Sequence, residues 1–387
     1  MKKISYLLTF LLVMAFAVAC ESNKPDEPDT PSVRLADVTT YAATDISTRS
    51  VVLHGRYTAK TMRTFTGDFM IGANKQYVED MRLDMFWADK HIGRDFQLTI
   101  NFLSPATRYY YRAGVMFDNR QGLLSNLIEE FETLPLPLLP NHFTEKAFSV
   151  APNKQVSFSP GNLQYHARNN EWRFAERQYI YIGDNNLNIS QDYDGWIDLF
   201  GWGTGDSPTK NGIEISDYTT FVDWASNQIG DDAPNTWRTL SIDEWRYLLF
   251  TRDNANSLIG LAQVNSVIGL ILLPDNWEPI EGVTFVPAVY DTHYESYKNS
   301  VCQTYTDDQW ALLEQSGAVF LPHAGVREYS YYDKCPELDK IQNAGYYASS
   351  TNHYKTETNC LYMGLESVNT GFTSVYYGLS VRLVKEK

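Results

Sequence analysis

Leu103-Ser-Pro105-Ala-Thr107-Arg-Tyr109-Tyr-Tyr111-Arg-Ala113 decides how the first third of this chain is read. Beyond Pro105 the residues Tyr109, Tyr111, Ala113 and Val115 recur at every second position. Side chains on a strand point to alternate faces, so this spacing predicts a strand with one buried face. The same alternation flanks it, in Val51, Leu53, Gly55 and Tyr57 and in Phe96, Leu98, Ile100 and Phe102. Several such strands separated by turn signals predict a β-sandwich.

The Leu103–Ala113 passage resembles the L-x-P-x-T-x-Y-x-x-R-A corner of fibronectin type III domains. The resemblance extends over residues 33–135, from Ala43-Thr-Asp-Ile46 and Val51-Val-Leu53-His-Gly55 at the start to Glu130-Phe131-Glu-Thr133-Leu at the end. It implies that Leu103 is core, that Pro105 and Thr107 shape the corner, and that the Tyr109 hydroxyl ties the corner to the backbone. No Arg-Gly-Asp tripeptide occurs, so the expected role of this module is that of a spacer.

Outward from this module, the amino terminus carries an address. Lys2 and Lys3 precede an apolar run from Ile4 to Val18 that closes in Ala17-Val18-Ala19-Cys20. The run falls short of the roughly 20 apolar residues a membrane-spanning helix needs. It reads as a lipoprotein signal peptide over residues 1–19, with lipidation at Cys20; an ordinary secretory signal with a chance cysteine is the alternative. Residues 20–32 are acidic and carry Pro25, Pro28 and Pro31, the composition of an extended, solvated tether. The expected location is the cell surface, at an outer membrane, held by the N-terminal lipid.

Charge and cysteine usage bound the chemistry. The net charge is −15, without the clustered Lys and Arg that bind a phosphate backbone, so nucleic acid is excluded as an expected partner. If Cys20 carries lipid, Cys302, Cys335 and Cys360 remain, which allows at most one intramolecular disulfide and shows no Cys-x-x-Cys spacing of a zinc or redox site. No G-x-S-x-G elbow and no H-E-x-x-H helix occurs, and the histidines are scattered. The chain is therefore expected not to be an enzyme.

Leu134-Pro-Leu-Pro-Leu-Leu-Pro140 stiffens the chain and marks a boundary, with a linker over 136–147 and a second domain over 148–387. In this domain Ser241-Ile-Asp-Glu244 and Thr306-Asp-Asp-Gln309 are capping boxes that open helices. Ile242, Trp245, Leu248 and Leu249 form the buried face of the first; Trp310 and Leu313 face inward on the second, which Gly317 stops. Ile268–Leu273, Ala318–Leu321 and Leu379–Val384 read as strands. The pattern predicts an α+β domain, so the whole chain is expected to be multidomain.

Trp237-Arg238-Thr-Leu240-Ser-Ile-Asp-Glu244-Trp245-Arg-Tyr247 resembles the W-R-L-P-T-x-x-E-W-E-Y passage of the formylglycine-generating, sulfatase-modifying family. Gly345-Tyr-Tyr-Ala-Ser-Ser350-Thr351, Gly378-Leu-Ser-Val-Arg382-Leu-Val, Phe158-Ser-Pro-Gly161-Asn162-Leu163-Gln164-Tyr165 and Ile197-Asp-Leu-Phe200-Gly201-Trp202-Gly203-Thr204 are similar to segments of related domains in surface lipoproteins of the Bacteroidetes. The resemblance runs over 148–385 and implies a C-type lectin-like fold. The oxidising members use two cysteines a few residues apart to bind copper; only Cys360 stands in the corresponding stretch, which argues against that activity. Glu278-Pro279-Ile280 lacks the third oxygen ligand of the calcium-dependent sugar motifs.

Two sets of candidate residues follow. Arg327, Tyr329, Tyr331, Tyr332 and Asp333, with His353 and Tyr354, combine aromatic and polar side chains as glycan or protein binding requires. Asp192, Asp194 and Asp198 supply oxygens that calcium prefers, but the spacing is not that of an EF-hand, and Asp, Asn and Gly are ordinary turn residues. No cofactor other than this candidate calcium is expected. The leading expectation is a non-catalytic surface lipoprotein that presents a lectin-like domain for adhesion or nutrient recognition. A tip or accessory subunit of a surface fibre, and a diverged sulfatase-modifying-type enzyme, are the alternatives.

Overall fold

The computed structural model describes residues 36–387 except 60–64, 118–120, 295, 299, 300, 330–335 and 340. Strand outweighs helix throughout, and the chain is mostly β-sheet, arranged in several sheets. Among the described residues no helix is long and apolar enough to cross a membrane. Cys20 and the signal, tether, Tyr331, Tyr332, Asp333 and Cys335 lie outside the described residues.

Two antiparallel sheets build the first module. One runs in the order Ala36–Thr44, Val51–Ala59, Asp95–Ile100, Lys90–Ile92; the other in the order Met85–Trp87, Thr66–Gly72, Arg108–Phe117, Gln121–Leu124, with Glu129–Glu132 also paired to Arg108–Phe117. Val51, Leu53, Phe96 and Leu98 of one sheet share a core with Phe69, Tyr109, Tyr111, Ala113 and Val115 of the other, the faces the alternation predicts. The Phe96 ring lies directly over two glycines: a Cβ on Gly55 or Gly67 would come within 2.5 or 2.3 Å of it. Phe102 departs from the expected face. The strand ends at Ile100, and Phe102 takes a positive φ of 65° and is 83% exposed.

The corner closes as the sequence implies, since the Tyr109 hydroxyl accepts the Ser104 N–H at 2.9 Å. Thr133 contributes a second tie, donating to the Ser104 carbonyl at 2.7 Å.

The second module is organised around the meander Ala344–Tyr354, Glu357–Gly364 and Ser367–Ser374, the centre of a seven-stranded sheet. Its alternate residues enter two different cores: Tyr347, Leu361, Met363 and Val368 pack with Trp245, Leu248 and Leu249, whereas Ala348 and Cys360 pack with Trp224, Phe200 and Leu379. A four-stranded sheet, Gln303–Tyr305, Ile259–Val264, Val267–Leu272 and Val319–Pro322, carries a third core with Trp310 and Leu313. The expected strand over Leu379–Val384 is divided into Leu379–Ser380 and Val384–Glu386, which join different sheets.

Both capping boxes form. The Ser241 side chain accepts from Glu244 N–H and the Glu244 carboxylate from Ser241 N–H; Thr306 and Gln309 make the equivalent pair. The first helix is only Ile242–Arg246 and continues as a π-turn over Tyr247–Thr251. Glu244 also receives Arg238 through Nη1 and Nη2 at 2.7 and 2.8 Å, and Lys154 at 2.9 Å. Arg238 in turn reaches Glu386 at 2.7 Å, so the helix start is tied to both chain ends of the module.

The linker does not hang free. The Pro137 carbonyl accepts from the Tyr179 hydroxyl at 3.1 Å and the Asn265 amide at 2.8 Å, Leu139 N–H donates to Tyr179, and Leu136 and Leu139 pack on the third core.

Candidate functional site

The meander lifts its hairpin end away from both cores. Ala348 pairs with Cys360 and Asn352 with Thr358, which leaves extra residues on the longer strand and a bulge between these pairs. A bulge of this kind re-aims the side chains beyond it. His353 and Tyr354 follow it and are exposed, Tyr354 to 66%. The His353 ring lies parallel to Phe372 of the neighbouring hairpin, with centroids 4.4 Å apart and planes 7° from parallel, and edge-on to Tyr354 at 4.5 Å. Phe372 is itself 56% exposed. Thr370, two positions earlier on the same face, accepts from Arg246 Nε at 3.3 Å, and Arg246 pairs with exposed Asp243 at 3.6 Å. Aromatic faces and hydrogen-bonding groups thus stand side by side on one exposed surface. Phe372 was no sequence candidate; an aromatic in the polar strand Ser367–Ser374 was the only signal for it.

The other candidates separate. Arg327 is 2% exposed and does not belong to a surface site. Its backbone pairs with Gly378, its Nη1 donates to the Leu199 carbonyl at 2.6 Å, and burial pushes its pKa down to about 10. Tyr329 is half-buried at the end of the Val326–Tyr329 strand.

The three aspartates do not converge on a cation. Asp192 and Asp194 are exposed, and Asp194 meets Arg168 at 2.5 Å. Asp198 is buried and points the other way, accepting from Asn186 at 2.8 Å and Ile182 N–H at 2.9 Å. Burial lifts its pKa to about 6 against those hydrogen bonds. Among the described residues no group of three or more His, Cys, Asp and Glu could hold a metal ion.

Catalytic chemistry finds no obvious seat at Cys360. It is 1% exposed, and burial pushes the thiol up to about 12, so it stays protonated and shielded. Cys302 and Cys360 are both free. The segments around Asn162 and Arg382 build an internal polar network instead: Arg382 Nη2 donates to Gln178 at 2.7 Å, and Asn162 donates to the Tyr347 hydroxyl at 3.1 Å.

The modules meet at a polar junction. The Tyr109 hydroxyl donates to the Asp184 carboxyl, Asp184 N–H donates to Ser104 Oγ at 3.1 Å, and Arg49 reaches the Tyr181 hydroxyl at 3.0 Å. Burial raises the Asp184 pKa, and the hydrogen bonds from Tyr109 and Ser104 counteract only part of that rise.

No family model matches this chain, and no curated protein matches it. Among solved structures it is similar to the sensor domain of the anti-sigma factor RsgI4 in Pseudobacteroides cellulosolvens, at 21% identity, covering 27% of this chain and 100% of that one, with a TM-score of 0.22. A fibronectin type III domain derived from human KIAA0970 protein matches at 21% identity over 28% of this chain and 80% of that one, with a TM-score of 0.20.

Proposed function

We propose that this chain is a non-catalytic recognition protein of an outer-membrane surface. In this reading it is anchored by lipid at Cys20, spaced by a fibronectin type III-like sandwich, and binds glycan with a C-type lectin-like α+β domain. The observation that carries the proposal is the exposed stack of His353, Tyr354 and Phe372 beside Thr370, Arg246 and Asp243. A cluster of adjacent exposed rings marks an interaction surface, and the apolar face of a sugar can cover such rings while its hydroxyls bond to neighbouring polar groups. The docked linker supports the spacer role, because it holds the binding module at a set distance from the first. The shielded Cys360 thiol supports the absence of thiol catalysis.

A glycan array probed with the full chain in detergent tests the reading. Binding to a defined set of glycans, lost in Phe372→Ala and in His353→Ala while unfolding midpoints hold, is the expected result. Absence of glycan binding by the parent protein would remove the glycan version and leave a protein partner as the ligand of this surface.

A further inference from the structure

A cleft of about 680 Å³ opens beside the junction and is lined by both modules. That volume lies within the roughly 300–1,000 Å³ range of small-molecule sites, which favour places where domains meet. Ile71, Leu83, Leu98 and Leu103 of the first module make an apolar wall, and Leu187 of the second faces it across the cleft with the Asp184 carboxyl.

Among the described residues the charges lining this cleft do not balance. Asp84 and Asp184 line it, and the lining cation, Arg82, is already engaged: it lies 3.0 Å from Asp80 and over the Tyr77 ring at 5.8 Å. Among the described residues the groups that bond to the Asp184 side chain, the Tyr109 and Ser104 hydroxyls, are neutral. A half-buried carboxyl with only neutral donors gains most from a cation placed against it.

We propose that this cleft binds a small organic cation with an apolar body, of the aryl- or alkylammonium class. The ammonium sits against Asp184, where it can form a charge-assisted hydrogen bond, and the apolar body covers the Ile71, Leu98 and Leu103 wall. The site is separate from the His353–Phe372 surface and stands or falls independently of glycan binding.

Titration calorimetry of the full chain with phenethylammonium is the test, with phenylacetate as the probe of like shape and opposite charge. The expected result is saturable binding of the ammonium alone. Asp184→Asn keeps an acceptor for Tyr109 and should weaken binding tenfold or more while the variant still unfolds cooperatively. Leu187→Trp, which narrows the cleft from the other module, should abolish it; should that variant fail to fold, Asp184→Asn decides. Equal binding of both probes, no saturable binding of the ammonium, or unaltered affinity in Asp184→Asn would overturn the proposal.

Discussion

Tyr109 of the first module and Asp184 of the second are joined by a hydrogen bond, and the same Tyr109 hydroxyl accepts Ser104 N–H at 2.9 Å. One phenol thus closes the corner of its own sandwich and fastens that sandwich to its neighbour. The arrangement couples local folding to module orientation, because the Tyr109 ring is held at 3% exposure in the sandwich core, stacked on Phe131.

Tyr109→Phe removes both bonds while keeping the ring, and leaves Ser104 N–H and Asp184 without this partner. Each buried polar group left unpaired costs about 1–3 kcal/mol. With two groups affected, denaturant unfolding should show a loss of about 2–6 kcal/mol, and Asp184→Asn should lose less because the amide still accepts from Tyr109. Equal losses in the two variants would mean that the corner bond contributes nothing of its own.

Asp68 gives a pH dependence of opposite sign to that of ordinary carboxylates. It is 1% exposed on Thr66–Gly72, its Oδ1 has no hydrogen-bond partner among the described residues, and burial raises its pKa from 3.8 to about 7. The folded state therefore holds this proton more tightly than the unfolded one, so its contribution falls as pH rises from about 4 to 7. Asp68→Asn should be more stable than the parent at pH 8 by on the order of 2 kcal/mol, an advantage that shrinks to nothing below pH 4. A constant difference across that range would show that Asp68 does not titrate in the folded protein.

Glu244 runs the other way. Burial opposes its ionisation, yet Arg238, Ser241 N–H and Lys154 together hold its carboxyl below the usual range. A depressed carboxyl stabilises above its unfolded pKa and loses that contribution as pH falls through the folded value. Glu244→Gln should cost about 1–3 kcal/mol at pH 7 and progressively less in acid. Thermal melts at pH 7 and pH 3 check this; a larger cost in acid would contradict it.

What was legible in the sequence is what neighbours in sequence decide. Ser241 and Glu244 are three residues apart, and their reciprocal capping needs nothing from elsewhere in the chain. The tyrosine corner spans only Ser104 to Tyr109. Arg327 is misplaced because an Arg beside Glu328, Tyr329, Tyr331 and Tyr332 reads as part of a polar, aromatic loop, while the groups that receive it, the Leu199 carbonyl and the Gly378 backbone, are far off in sequence. Phe372 escaped for a related reason. Its stack on His353 depends on the register of three strands and on a bulge that no local pattern announces. Asp184 sits in a Gly-Asp-Asn-Asn run that reads as a turn, and only the approach of the first module gives it a partner.

The two described thiols should differ in reactivity. Cys302 is exposed, although partial burial raises its pKa, whereas Cys360 is packed between the strands of the meander, paired with Ala348 and Gly371, and held protonated up to about 12. Alkylation requires the thiolate and access to it. Under native conditions at pH 8, peptide mapping after iodoacetamide treatment should find Cys302 modified and Cys360 intact, with Cys360 labelled only once denaturant unfolds the second module. Rapid native labelling of Cys360 would place an accessible, activated thiol at the centre of this domain and bring the enzyme reading of the chain back ahead of recognition.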